Sequence, residues 1–109
     1  MSELLTHEEY KAIADGLNLA STAFVDGGFR KAASGGTFDS IDPATGKLLA
    51  KVAACDAADV DFAVGKAREA FDDGRWRCLH PAKRKEVLIK LAKLIRHNRH
   101  ELAVLESLD

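Results

Sequence analysis

Two stripes of apolar residues at helical spacing occupy the second half of the chain and constrain it most. Val60, Val64, Ala67 and Phe71 recur at i, i+4, i+7 and i+11, and Val87, Leu88, Leu91, Leu94 and Ile95 keep the same period. Each stripe marks one face of an amphipathic helix that must lie on something, so the fold has to supply a surface for two helices. The 109 residues set the scale, about one modest domain. A chain of this size buries relatively little, so exposed patches or self-association are expected. With 47% hydrophobic residues and 16 basic against 17 acidic side chains, the composition fits a folded soluble protein and argues against disorder, collagen or a disulfide scaffold.

Start and stop signals bound these helices. Asp56 can cap a helix beginning at Ala57, and Asp59 in its first turn favours the same end through its charge; Gly74 marks where it stops. Arg75-Trp76-Arg77 forms the connection, and Pro81 suits the first turn of the next helix, whose basic residues are expected on the side opposite its buried apolar stripe. Asn98 with Glu101 reads as a capping pair opening a last helix through Leu102, Leu105 and Leu108. No stop signal precedes Asp109, which reads as a helix cut in mid-stripe.

The first half is built differently. Thr6 and Glu9 form a capping-box pattern for a short helix from His7 to Asp15, with Leu5 and Tyr10 at staple positions and Gly16 as the permissive residue just past its end. Asp26-Gly27 between apolar residues is a tight hairpin signal, because both turn positions favour positive φ. After a Gly-rich loop over 31–36, Thr37 to Ile41 and Leu48 to Ala54 read as strands joined by the turn Asp42-Pro43-Ala44-Thr45-Gly46. The fold class is therefore α/β: a short N-terminal helix, antiparallel strands, then three amphipathic helices.

Charge is distributed in blocks. Residues 1–74 carry a net −6, residues 75–100 a net +8 and residues 101–109 a net −3. Lys83, Arg84, Lys85, Lys90, Lys93, Arg96 and Arg99 could follow a phosphate backbone, but no aromatic residue interleaves with them after Trp76, so base stacking has no platform. A solvated helix face is the preferred explanation. The N-terminus lacks a basic region followed by an apolar one, and no stretch is apolar enough to cross a bilayer, so the expected location is the cytoplasm, with neither membrane nor nucleic acid as partner.

Chemistry-bearing residues are sparse. Cys55, at the end of an apolar strand, is expected to be a small buried thiol; Cys78 has Arg75, Arg77 and His80 near it in sequence, neighbours that could make a thiol reactive, but no base or orienting partner accompanies it. His97 and His100 lack the further ligands a metal pair would need. Gly27-Gly28 and Gly35-Gly36 do not open a predicted helix, as a phosphate loop requires. No catalytic and no cofactor-binding residue is assigned.

Taken in order, Phe24-Val25-Asp26-Gly27-Gly28-Phe29, Ile41-Asp42-Pro43-Ala44-Thr45-Gly46, the run Val52 to Asp61, Ala67-Arg68-Glu69-Ala70-Phe71, Gly74-Arg75-Trp76-Arg77, Lys83-Arg84 and Leu102 to Asp109 resemble the N-terminal region of the aldehyde dehydrogenase superfamily. Pro81 to Lys85 and the extra N-terminal helix are most similar to the branch acting on γ-glutamyl-γ-aminobutyraldehyde and related aminoaldehydes. The resemblance implies residues 1–22 as an N-terminal helix and linker, and 23–109 as the truncated N-terminal part of a coenzyme-binding domain. It also implies NAD(P)-dependent oxidation of an aldehyde to a carboxylate, in which a cysteine thiolate adds to the aldehyde and hydride leaves to the nicotinamide. In the family those groups lie downstream, and neither Cys55 nor Cys78 sits in the nucleophile motif. The expectation is thus a segment inactive alone, with NAD or NADP in the parent and none in the fragment. Its partners would be the remainder of the chain and, in the parent, further copies in a homo-oligomer.

One family site maps here. A structural monovalent cation would take main-chain oxygens at Ser40 and Ile41 and the carboxylate of Asp109, with the family's third contributor outside this chain. His80 departs from the Ser-like residue expected before Pro81, which weakens that cap. The rival readings are a basic-helix nucleic-acid-binding module and a noncatalytic assembly or regulatory protein that keeps its apolar stripes for a partner.

Overall fold

The computed structural model describes residues 4–109. Helix α1 (His7–Gly16) starts on the predicted capping box: Thr6 Oγ1 accepts from the Glu9 N–H at 3.3 Å, and Glu9 Oε2 accepts from the Thr6 N–H at 2.8 Å. The Leu5 N–H donates to the Tyr10 hydroxyl at 3.3 Å, adding a polar tie at the staple positions. Gly16 differs from expectation. It is the last helical residue, without a positive φ, and the chain leaves through an extended Leu17.

Strands β1 (Ala23–Val25) and β2 (Gly28–Arg30) pair antiparallel around a two-residue turn, Asp26 at φ 55° and Gly27 at φ 76°. Two left-handed residues in succession match the twist of a hairpin, as the Asp-Gly pair required. Phe24 faces Phe29 across the pair, rings edge to face at 5.1 Å. Strands β3 (Thr37–Ile41) and β4 (Leu48–Ala53) form a second antiparallel pair, with one extra β4 residue opposite the Ser40/Ile41 step. In the turn between them Asp42 accepts from the Ala44 N–H at 2.8 Å and from the Thr45 hydroxyl at 2.9 Å, and Gly46 takes φ 69°.

Helix α2 (Ala57–Asp72) has a reciprocal cap of its own, Asp56 accepting from the Ala58 and Asp59 N–H groups while Asp59 accepts from the Asp56 N–H. Polar and cation–π contacts tie it to the first hairpin. The Arg30 guanidinium lies 3.7 Å from the centre of the Phe62 ring, Lys66 is 3.6 Å from Asp26, and Asp59 accepts from the Ala33 N–H at 2.9 Å. Arg77 closes the far end, its Nε donating to the Phe71 carbonyl at 2.7 Å. Beyond Gly74, at φ 77°, the chain enters α3 (Pro81–His97) and then α4 (Arg99–Leu108).

Two caps depart from the sequence reading. His80 does cap α3, its Nδ1 accepting from the Ala82 N–H at 3.2 Å, so the imidazole replaces the expected hydroxyl. Asn98 makes no cap to α4; its Nδ2 donates instead to the Leu94 carbonyl at 2.9 Å and finishes α3. With φ −97° and ψ 18°, Asn98 lacks the extended backbone that turns a side-chain oxygen toward the following N–H groups.

The expected buried stripes are open. Val64 is 61% exposed, Phe71 55% and Leu94 59%, and neither α2 nor α3 contains a buried residue. Among the described residues only Ala32 and Val104 are buried apolar ones, the latter on α4, which packs against α1 through an edge-on contact of Tyr10 with His100 at 6.0 Å. The reading of α3 as a helix with a buried front is therefore corrected, because among the described residues no element lies across that front. The described chain is a slab of 48 × 42 × 17 Å with a radius of gyration of 17.9 Å, against about 13 Å for a compact domain of this length. Its accessible surface, 8707 Å², exceeds the roughly 5,900 Å² typical of a folded monomer of this mass. No helix is long and apolar enough to cross a membrane.

Candidate functional site

Ser40 ends the regular part of β3, Ile41 follows it at the register shift, and Asp109 caps α4. The fold brings the first and last of these together across 69 positions of sequence: Ser40 Oγ donates to Asp109 Oδ1 at 3.4 Å. Hydroxyl, carboxylate and a neighbouring strand carbonyl are hard oxygen donors, the type an alkali or alkaline-earth ion takes. Next to them Asp42 is buried, and the Ala44 N–H followed by the Thr45 hydroxyl holds its carboxyl below the usual range. That carboxylate organises the turn carrying Ile41 and is already engaged by its own loop.

The cysteines have other surroundings than expected. Cys55 is exposed, because β4 stops at Ala53 and leaves it in the connection to α2; Cys78 is exposed too, with its N–H donating to the Gly74 carbonyl at 3.0 Å. Arg75 turns to Asp73 and Arg77 to the end of α2, so neither guanidinium is committed to the Cys78 thiol. His100 meets Tyr10 edge-on, and among the described residues no three His, Cys, Asp or Glu side chains converge as metal ligands would. Gly27-Gly28 lies at the β1–β2 turn and Gly35-Gly36 leads into β3, so neither pair forms the loop-to-helix cradle that a dinucleotide pyrophosphate takes. No step through a nicotinamide is assigned to these residues.

What the chain offers instead is surface. Large apolar side chains are exposed along α2, along α3 and at Trp76, and an open groove of about 580 Å³ runs beside Trp76, Pro81, Arg84, Lys85, Leu88 and Ala92. The surface in excess of a compact monomer, about 2,800 Å², is the size of an obligate interface.

The sequence pattern of the aldehyde dehydrogenase family matches residues 29–109. The chain belongs to that family. It is 61% identical over all 109 residues to aminoacetaldehyde dehydrogenase of Pseudomonas aeruginosa, of which it covers 22%. Among solved structures it is similar to the γ-glutamyl-γ-aminobutyraldehyde dehydrogenase of Burkholderia cenocepacia, with 46% identity and a TM-score of 0.92 over 95% of this chain and 21% of that one. A variant of the P. syringae indole-3-acetaldehyde dehydrogenase AldA, solved with NAD+, gives 50% identity and a TM-score of 0.92 over 96% and 21%. The chain thus spans about a fifth of the length of the relatives it matches, and its helices and antiparallel strands have the architecture of their N-terminal regions. Sequence reasoning found this family through its ordered short motifs. It missed Arg77 as the cap of α2 and Asn98 as the end of α3, since both bonds depend on where a connection turns.

Proposed function

We propose that this chain is a structural segment of an NAD(P)-dependent aldehyde dehydrogenase acting on small aminoaldehydes, and that it turns over no aldehyde by itself. The observation that carries the reading is the 61% identity to aminoacetaldehyde dehydrogenase across every residue of the chain. The open fronts of α2 and α3 support the scaffold role, because a helix with a wide apolar front is stable only when another layer covers it. Residues 1–22 serve as an appended helix and linker, residues 23–109 as the first part of the coenzyme-binding domain, and the whole enzyme as a cytoplasmic homo-oligomer. NAD(P), when bound by the whole enzyme, accepts the hydride. The part played by these 109 residues is to hold the first hairpin, α2 and α3 as a layer on which the coenzyme-binding half is built.

The test is NAD(P)H formation over a panel of aldehydes. The purified 109-residue chain should give none, whereas an enzyme with this chain joined to the remaining length of the P. aeruginosa relative should oxidise aminoacetaldehyde. Turnover by the chain alone overturns the scaffold reading. On the same reading the main-chain oxygens of Ser40 and Ile41 and the carboxylate of Asp109 contribute to a structural monovalent cation site, and the closeness of Ser40 to Asp109 supports it. Replacing Na+ by a bulky organic cation should lower the thermal midpoint of the joined enzyme, and Asp109→Asn should remove that dependence.

A further inference from the structure

Arg84 lies on the apolar front of α3, where of the other basic residues of that helix only Lys85 lines the same groove. Arg84, Leu88, Leu91 and Ile95 follow i, i+4, i+7 and i+11, so this guanidinium occupies a position within the apolar front. Its Nε is shut off from water and has no hydrogen-bond partner. The nearest carboxylate in sequence, Glu86, is engaged with Lys83 at 3.3 Å. A buried N–H without an acceptor is costly, and a guanidinium covered by a further layer without a counter-charge is more so. The arrangement is incomplete as it stands.

We infer that Arg84 is the polar anchor of the α3 docking surface, and that it receives a carboxylate carried on an apolar segment of the enzyme beyond these 109 residues. This rests on the functional reading above. Three observations select that occupant. The groove on the front of α3 is apolar apart from Arg84 and the neighbouring Lys85, and Arg84 is the one whose Nε is already out of water, so the complementary surface is apolar and carries an anion opposite Arg84. With Nε turned inward, the two terminal nitrogens of the guanidinium are left to present a pair of N–H groups that matches the two oxygens of a carboxylate. The relatives also carry roughly four-fifths of their length beyond what this chain covers, ample to supply the layer.

The experiment uses the joined enzyme described above, compared with its Arg84→Met and Arg84→Lys variants by thermal unfolding as a function of pH, with activity read separately. Arg84→Met keeps the aliphatic length and leaves the carboxylate unpaired, and should lower the midpoint at neutral pH by about 5 °C or more. Arg84→Lys should recover part of that loss. The difference between parent and Arg84→Met should shrink as the pH falls through the partner's carboxylate range, because the protonated acid no longer needs the cation. An unchanged midpoint in Arg84→Met, or a difference that persists undiminished in acid, overturns the proposal. So does an unaffected joined enzyme combined with loss of self-association in the 109-residue chain carrying Arg84→Met, which assigns the face to a second copy. A joined enzyme that folds without turning over aldehyde overturns the functional reading alone, since the unfolding comparison is still readable; an insoluble one overturns both.

Discussion

Gly74 holds φ 77° at the end of α2, and a Cβ built there would lie 2.7 Å from the Cys78 Sγ and 3.3 Å from its Cβ. Left-handed backbone costs an L-residue about 1–2 kcal/mol before any clash is counted. Gly74→Ala should therefore destabilise the joined enzyme by roughly 2 kcal/mol in urea unfolding, and adding Cys78→Ala should return only the part owed to the sulfur. Full recovery in the double variant would mean that the backbone conformation carries no strain. Asp59 supports a pH prediction at the same scale. The N–H of Asp56, then that of Ala33, holds its carboxyl below the usual range. Its stabilisation is complete above the unfolded value of about 3.9 and is lost as the pH falls through the lower folded value. Asp59→Asn should lower the unfolding midpoint at neutral pH and flatten the acid limb, a change readable by circular dichroism.

Between elements the contacts are few and local, so each can be tested alone. Helix α1 has ten residues, too few to persist in water without support, and Tyr10 both receives the Leu5 N–H and meets His100 on α4. Tyr10→Ala should abolish hydrogen-exchange protection across α1 while leaving the β3–β4 pair unchanged. Asn98→Ala removes the bond to the Leu94 carbonyl, at a cost of about 1 kcal/mol, and should fray the last turn of α3 rather than the first turn of α4. The elements themselves were legible in the sequence, since caps, Asp-Gly, Asp-Pro and the helical period are local signals, and the strands and helices begin within a residue or so of where these placed them. What covers each helix was not legible. A period of 3.6 states that a face is apolar and says nothing of which layer reaches it, so the front of α3 was expected to be buried and Arg84 was grouped with the solvated lysines. The meeting of Ser40 with Asp109 came through family resemblance, as no local rule joins positions so far apart.

For the molecule as a whole, surface in excess of a compact monomer means apolar area that water must hydrate. The purified chain should bind an apolar dye strongly and sediment as concentration-dependent assemblies, while the joined enzyme of the same residues should do neither. A slab 17 Å thick with almost no buried apolar side chains among the described residues has a consequence for mutational tolerance. In such a sheet of structure, replacing Val64 or Leu91 by a polar residue creates no cavity and strands no neighbour, so the short chain should accept such changes and even gain solubility from them. On the scaffold reading the same positions are interior in the joined enzyme. Two substitution maps, one for each context, should then agree at the turns and caps and diverge most along α2 and α3, and the line of divergence would trace the proposed covering layer residue by residue.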